Sequence, residues 1–141
     1  MIEFAPVHDV PGAGNAPDPG HEYRVVVSVS QPGSGGQPPA GLVKAARLCN
    51  LLEKHGATDG NHIVAIVHGA AVPSVISGDA ACAQLQVEAL RAAGIMVAVC
   101  SQALAGQGFK PAQLLDGVRI DVSALTTLAT LQIEGYALIV E

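Results

Sequence analysis

Short apolar runs alternate with segments of helical periodicity along most of the chain. The apolar runs are rich in Val and Ile and predict five strands, at residues 24–30, 62–68, 95–100, 118–122 and 136–140. Between them apolar residues recur every three or four positions, which predicts helices. This repeated β–α order implies right-handed crossovers and therefore an α/β fold, a single mainly parallel five-stranded sheet with helices on both faces. We expect the first strand to lie at the centre of that sheet.

Several residues predict where the helices begin and end. The first helix is expected to end near His55, with Gly56 as its C-cap. Asp79 is expected to cap a helix that runs to Ala93, and Ser123 to cap the last one. The segment 103–115 is predicted to form two short helical pieces.

The first 22 residues differ from the rest of the chain. They are rich in Pro and Gly and show no periodicity. Such a segment buries too little apolar surface to fold alone. We therefore expect residues 1–22 to form an extended or flexible arm outside the core, followed by one α/β domain over residues 23–141.

Composition narrows the class of protein. Half of the residues are hydrophobic but only 3% are aromatic and none is Trp, so the core must be built from Val, Ile, Leu and Ala. The net charge is −5, and no basic cluster is present, which argues against nucleic-acid binding. No apolar run approaches the ~20 residues of a membrane helix, so no membrane insertion is expected.

Two strand ends carry candidate chemistry. Cys100 ends the third strand, at the sheet edge where α/β proteins usually place their chemistry, and a following helix would offer N–H groups to a thiolate. His68 ends the second strand and is the candidate for activating or orienting the thiol. Gly69, Ser101 and Gln102 are candidate ligand-binding residues beside them. With the first strand central, His68 and Cys100 would lie about two strand spacings, ~10 Å, apart.

Simpler interpretations of these residues stay open. Cys100 has the alternative of packing in the core, because free cysteine is often buried. His68 has the alternative of a plain hydrogen bond at a strand end. Cys49 and Cys82 are interpreted as packing residues on helix faces, and Asp116 and Asp121 as solvated residues or caps.

Other motifs predict no cofactor and no metal. The remaining histidines show no ligand spacing, and the three cysteines include no CxxC pair. The glycine-rich loop at residues 33–36 lacks both phosphate-binding patterns and is interpreted as a flexible surface loop.

Four sequence patterns together resemble one family. They are Val-His-Gly at 67–69, the strand ending Val-Cys at 99–100, Arg-Leu-Cys-Asn-Leu-Leu at 47–52, and Ser-Ala-Leu-Thr-Thr-Leu-Ala-Thr-Leu-Gln at 123–132 before Gly-Tyr-Ala-Leu. In this order they resemble the DsrE/DsrF-like (YchN-like) family over residues 23–140. The resemblance implies a compact α/β fold and homo-oligomers, trimers or hexamers. It also implies, for some members, sulfur carried as a cysteine persulfide and exchanged with donor and acceptor proteins.

The chain departs from the pattern of the sulfur-carrying members at one point. Those members resemble Cys-x-x-Ala followed by Arg-Arg-Gly, and here Cys100, Ala103 and Gly108 match. Gly106 and Gln107 stand where the arginines would be, which removes positive charge near the thiol and predicts weaker activation.

Three functions therefore compete at this point. The first is a sulfur carrier in which a partly accessible Cys100 holds a persulfide, at most a sulfurtransferase-like activity. The second is a non-catalytic oligomeric module that binds a small ligand or metal near His68. The third is an interaction protein in which Cys100 only packs. Similar members tend to begin with an export signal, so the resemblance implies a mature periplasmic protein, with a cytoplasmic one as the alternative.

Overall fold

The computed structural model describes all 141 residues. Five strands alternate with four α-helices, and 3-10 turns cover Gly69–Val75 and Pro111–Gln113. The strands are β1 (Arg24–Val29), β2 (His62–Val67), β3 (Met96–Cys100), β4 (Arg119–Asp121) and β5 (Ala137–Val140). The helices are α1 (Ala40–Lys54), α2 (Gln84–Ala92), α3 (Ser101–Gly106) and α4 (Ala124–Ile133). The predicted α/β fold is confirmed.

All strands of the sheet are parallel, in the order β4-β3-β2-β1-β5. The prediction that β1 is central is wrong, because β2 occupies the middle and β1 lies between β2 and β5. The chain adds β2, β3 and β4 in one direction and then returns to the far side of β1. Strands β2 and β3 are therefore direct neighbours.

The two faces of the sheet are covered unequally. Alternate strand residues such as Val27, Val67 and Val99 pack with α1, α2 and α3 in the larger core. The other residues, such as Val26 and Ile66, pack with α4 in a smaller cluster. Helices do lie on both faces, as predicted, but three share one face and α4 alone covers the other.

The start of the arm belongs to the larger core, contrary to prediction. Ile2 and Ala5 are buried in it. The buried Asn50 on α1 accepts from the Ile2 N–H at 2.8 Å and donates to the carbonyls of Ile2 and Ala5, each at 2.8 Å. A buried amide with partners for both of its polar atoms is stabilising, since an unpaired one would be costly. Residues 6–22 contain no helix or strand.

Local signals explain most of the helix ends. The last residue of α1 is Lys54, and Gly56 adopts a φ of +70°, which glycine tolerates. Ser123 accepts from the Leu125 N–H at 3.1 Å and caps α4. The predicted cap at Asp79 is wrong: its carboxylate accepts from Ala81 N–H within a turn, and α2 begins later.

The face covered by α4 retains exposed apolar side chains. On α4 itself, Leu125 is 79% exposed and Ile133 is 85% exposed. Leu138 and Val140 on β5 are exposed on the same face. None of the helices is both long enough and apolar enough to cross a lipid bilayer.

Candidate functional site

Cys100 lies where the two connections out of neighbouring strands diverge. It ends β3, and α3 follows on the side of the larger core, to which Leu104 belongs. The adjacent β4 is followed by α4 on the opposite face. In open α/β sheets, ligands bind in the crevice where adjacent connections leave toward opposite faces. Cys100 therefore occupies the position in this fold that is best suited to chemistry.

The Cys100 sulfur lies close to the first residues of both helices. Burial alone would raise the pKa of the thiol. Hydrogen bonding from the backbone N–H groups of Ala103, Ala124 and Gln102 and from the Ser123 side chain outweighs burial and lowers the pKa below the ordinary thiol value. Backbone N–H groups at helix starts favour a thiolate in this way. The residue is only 5% exposed, less than the accessible thiol expected from the sequence.

The surroundings of the other two cysteines, Cys49 and Cys82, raise the pKa of the thiol instead of lowering it. Burial and the nearby Glu53 carboxylate raise the pKa of Cys49, although the N-terminal amine opposes them. Burial also raises the pKa of Cys82, assisted by Asp79 and Glu88 and opposed by a backbone hydrogen bond from Gln84. Both side chains pack against the larger core, and Cys82 lies in the turn before α2 rather than on a helix face. Cys100 is therefore the only cysteine whose surroundings favour the thiolate over the thiol.

His68 lies beside Cys100 rather than 10 Å away. Val67, the last residue of β2, pairs with Val99, and His68 continues from it in an extended conformation, so His68 and Cys100 are expected to lie about one strand spacing, ~4.8 Å, apart. The larger separation predicted from the sequence assumed that β1 lies between β2 and β3, whereas β2 and β3 are neighbours. The His68 Nε2 atom, however, lies 2.8 Å from Ser28 Oγ on β1, on the other side of β2. Its hydrogen bond thus goes to Ser28 and not to the thiol.

Asp121 on β4 pairs directly with Cys100 across the sheet. It is neither solvated nor a helix cap, contrary to the sequence interpretation, because its side chain is only 12% exposed. Burial would raise the pKa of its carboxyl group, but hydrogen bonds from Arg119 and Thr127 and the Arg119 charge lower it. The carboxylate is therefore ionised at neutral pH.

Ser123 was predicted from the sequence only to cap the last helix. Its side chain also contributes to lowering the pKa of Cys100. The sequence does show that Ser123 comes just after β4 and that Cys100 is the last residue of β3. Residues at the carboxyl ends of neighbouring parallel strands lie at the same edge of the sheet. Without the strand order, β4 was not known to lie next to β3.

The predicted ligand-binding residues are largely occupied by bonds within the protein. Ser101 Oγ donates to the Val122 carbonyl at 2.7 Å, which joins the start of α3 to the turn before α4. The Gly69 carbonyl accepts from the Gln107 side chain at 2.7 Å. Gln102 is exposed, and its backbone N–H is one of the groups that favour the Cys100 thiolate.

The main clefts of the protein lie away from Cys100. Clefts of about 330 to 680 Å³ lie along the arm, beside the 33–38 loop and between α1 and α2, and none of these is lined by Cys100 or His68. No three His, Cys, Asp or Glu side chains are placed to hold a metal ion together. The low exposure of Cys100 favours a small reactant.

Comparison with known proteins gives one family and two similar folds. The DsrE/DsrF-like family matches residues 24–140. The structure of MTH1491 from Methanobacterium thermoautotrophicum, a protein of unknown function, superposes with a TM-score of 0.71 at 22% identity and covers 85% of this chain and 100% of its own. The ychN protein from E. coli gives 0.65 at 19% identity, over 84% and 99%. No curated protein matches the sequence.

Proposed function

Since the chain belongs to the DsrE/DsrF-like family, we propose that it carries sulfane sulfur as a persulfide on Cys100. Membership supports a sulfur-relay role in general. The assignment to this residue depends on two observations: Cys100 lies at the crevice where α3 and α4 begin, and it is the only cysteine whose pKa is lowered.

The chemistry requires a thiolate and a small donor. The Cys100 thiolate attacks the outer sulfur of thiosulfate, the S–S bond of the donor breaks, and sulfite leaves with the bonding electron pair. The product is a Cys100 persulfide, and no external oxidant or reductant is consumed. Transfer to an acceptor thiolate is the same exchange in reverse, with Cys100 as the leaving group. The N–H groups that favour the Cys100 thiolate also make it a better leaving group.

Activation here uses no arginine. Gln107 stands at an arginine position of the sulfur-carrying pattern, and its side chain is bound to Gly69. Neither α3 nor α4 contains a cationic residue, so backbone N–H groups and a hydroxyl take the place of positive charge. We therefore expect Cys100 to take up sulfur slowly, in agreement with the weaker activation of the thiol expected from the sequence.

We further propose that the protein is a homo-oligomer, a trimer or hexamer, assembled through the exposed apolar surface of α4 and β5. Leu125, Ile133 and Val140 form an apolar surface that a monomer would leave in water.

The test is intact-mass measurement after incubation with thiosulfate or polysulfide. A persulfide adds one sulfur, ~32 Da, to the protein. Cys100→Ser is expected to abolish the adduct, and the matched controls Cys49→Ser and Cys82→Ser to retain it. An adduct that survives in Cys100→Ser, or no adduct in any variant, would overturn the carrier role. The second outcome favours the ligand-binding module, a function with which the low exposure of Cys100 is also consistent.

A further inference from the structure

One side-chain hydrogen bond joins the first turn of α4 to β4. Thr127, in the first turn of α4, donates from Oγ1 to Asp121 Oδ2 at 2.7 Å. Asp121 is the residue that pairs with Cys100 between β3 and β4. The same residue therefore flanks the thiol and anchors the helix whose first N–H group favours the thiolate.

The Asp121 carboxylate is itself held rigidly. Arg119 donates from Nε to Oδ1 at 2.7 Å and from Nη2 to Oδ2 at 3.1 Å. Such a bidentate pair fixes the orientation of the carboxylate as well as its position. It also balances the negative charge that would otherwise lie beside a thiolate.

The first turn of α4 has few other contacts with the sheet. Ser123 caps the helix locally, the Ser101 hydroxyl holds the preceding Val122 carbonyl, and Thr127 supplies the side-chain hydrogen bond between α4 and a strand. Ala124 is the only buried residue of the helix, and Leu128 and Leu131 are half-buried. Leu125 and Thr126 are exposed. The packing of this turn on the sheet therefore rests on Ala124 and on the hydrogen bond from Thr127 to Asp121.

We propose that Asp121 and Thr127 are positioning residues that hold the first turn of α4 against the Cys100 sulfur. The inference rests on the proposed role of Cys100 as the sulfur-carrying thiol. Without the Thr127 hydroxyl, the turn moves away from the sheet more often. The Ala124 N–H and the Ser123 hydroxyl then leave the sulfur, and the thiolate loses their stabilisation.

The charged groups around the thiol make Thr127 the right residue to change. The ionisable side chains on this part of the sheet are Asp121 and Arg119 on β4 and His68 just after β2, whose ring is bonded to Ser28; α3 and α4 contain none. Replacing Asp121 would also release Arg119 toward the sulfur, and the two effects would oppose each other. Thr127→Val removes one hydroxyl, keeps the side-chain shape and leaves every charge in place.

The experiment follows the thiolate by its ultraviolet absorbance as a function of pH. Each variant is made in the full chain with Cys49→Ser and Cys82→Ser, and the spectrum of the same protein carrying Cys100→Ser is subtracted. Thr127→Val is expected to move the midpoint upward, so that the thiolate fraction below the midpoint falls roughly threefold. Thr127→Ser retains the hydroxyl and is expected to restore the original midpoint.

Thr130→Val is the matched control, because Thr130 is an exposed threonine on the same helix. If Thr127→Val and Thr130→Val give the same midpoint, the proposal is overturned. Amide exchange at Leu125 provides a second measurement, and it should accelerate only in Thr127→Val. A midpoint shift without faster exchange would overturn the positioning mechanism. If Thr127→Val does not fold, Thr127→Ala is measured by the same criteria.

The two proposals fail in different ways. Absence of a sulfur adduct would overturn the carrier function and leave the midpoint shift in place. An unchanged midpoint would overturn the role of Thr127 and leave sulfur loading in place.

Discussion

The His68 ring and the Ser28 hydroxyl share a 2.8 Å hydrogen bond beneath α4, on the side of β2 away from Cys100. His68 and Cys100 are lateral neighbours in the sheet, yet the imidazole nitrogen that forms this bond is directed to the opposite strand. The groups that favour the Cys100 thiolate come instead from the starts of α3 and α4.

The first prediction concerns this hydrogen bond. Ser28→Ala removes a buried partner of His68 and should lower the free energy of unfolding by about 1 kcal/mol, measured by urea denaturation at fixed protein concentration. The Cys100 titration midpoint should change less than in Thr127→Val. A larger change would show that His68 acts on the thiol through its orientation.

The three cysteines should titrate in a defined order. In single-cysteine variants, the alkylation rate follows the thiolate fraction, so each pH profile is normalised to its own plateau. Cys100 is expected to reach half of its plateau below the pH of an ordinary thiol, and Cys49 and Cys82 above it. Normalisation removes the effect of the low exposure of Cys100. A Cys100 profile at or above the other two would contradict the assigned environment.

Asp121 should make stability depend on pH in acid. Its pKa is lower in the folded protein than in the unfolded chain, so its contribution is fully present above the unfolded value of about 4 and is lost as the pH falls through the folded value. The difference in unfolding free energy between wild type and Asp121→Asn should therefore shrink below about pH 4. Urea denaturation across this range measures it. Parallel curves for the two proteins would refute the prediction.

Asn50 should hold the N-terminal residues in the core. Asn50→Ala removes three hydrogen bonds to Ile2 and Ala5, and we expect a loss of about 2–3 kcal/mol in unfolding free energy. Deleting residues 1–5 should destabilise by a similar amount. Combining both changes should cost clearly less than the sum of the two, because they remove the same contacts. Additive losses would show that the two sites act independently.

The apolar surface of α4 should govern assembly. Leu125→Glu and Ile133→Glu each place a charge on that surface and should shift the protein toward the monomer in sedimentation velocity experiments. Leu85→Glu is the matched control, because Leu85 is 76% exposed on α2, on the opposite face of the sheet. Dissociation by Leu85→Glu alone would place the interface on that other face.

Periodicity and β-branched runs were sufficient to predict the strands and the parallel class, because they report which faces of each element are buried. They contain no information on which strands are neighbours. The placement of β1 at the centre was wrong for this reason, and the His68–Cys100 separation was wrong with it.

The thiol site was predictable in part. A cysteine at a strand end before a helix is visible in the sequence, and so is the possible use of N–H groups. The effect of Ser123 on the pKa of Cys100 and the pairing of Asp121 with Cys100 depend on β4 lying beside β3, which only the tertiary structure specifies. The burial of Ile2 could not be predicted from the sequence either, because a single apolar residue in a Pro- and Gly-rich segment forms no periodic pattern.

The position of β5 beside β1 has a consequence for how the chain folds. Ser30 and Glu141 are 111 residues apart in sequence, and the Glu141 carboxylate accepts from both the Ser30 N–H and its hydroxyl at 2.6 Å. Contacts this distant slow folding, because the intervening chain must be ordered before they form. Until β5 arrives, β1 is an open edge that can accept the same strand from another molecule. Concentrated refolding should therefore favour dimers that exchange their last strands.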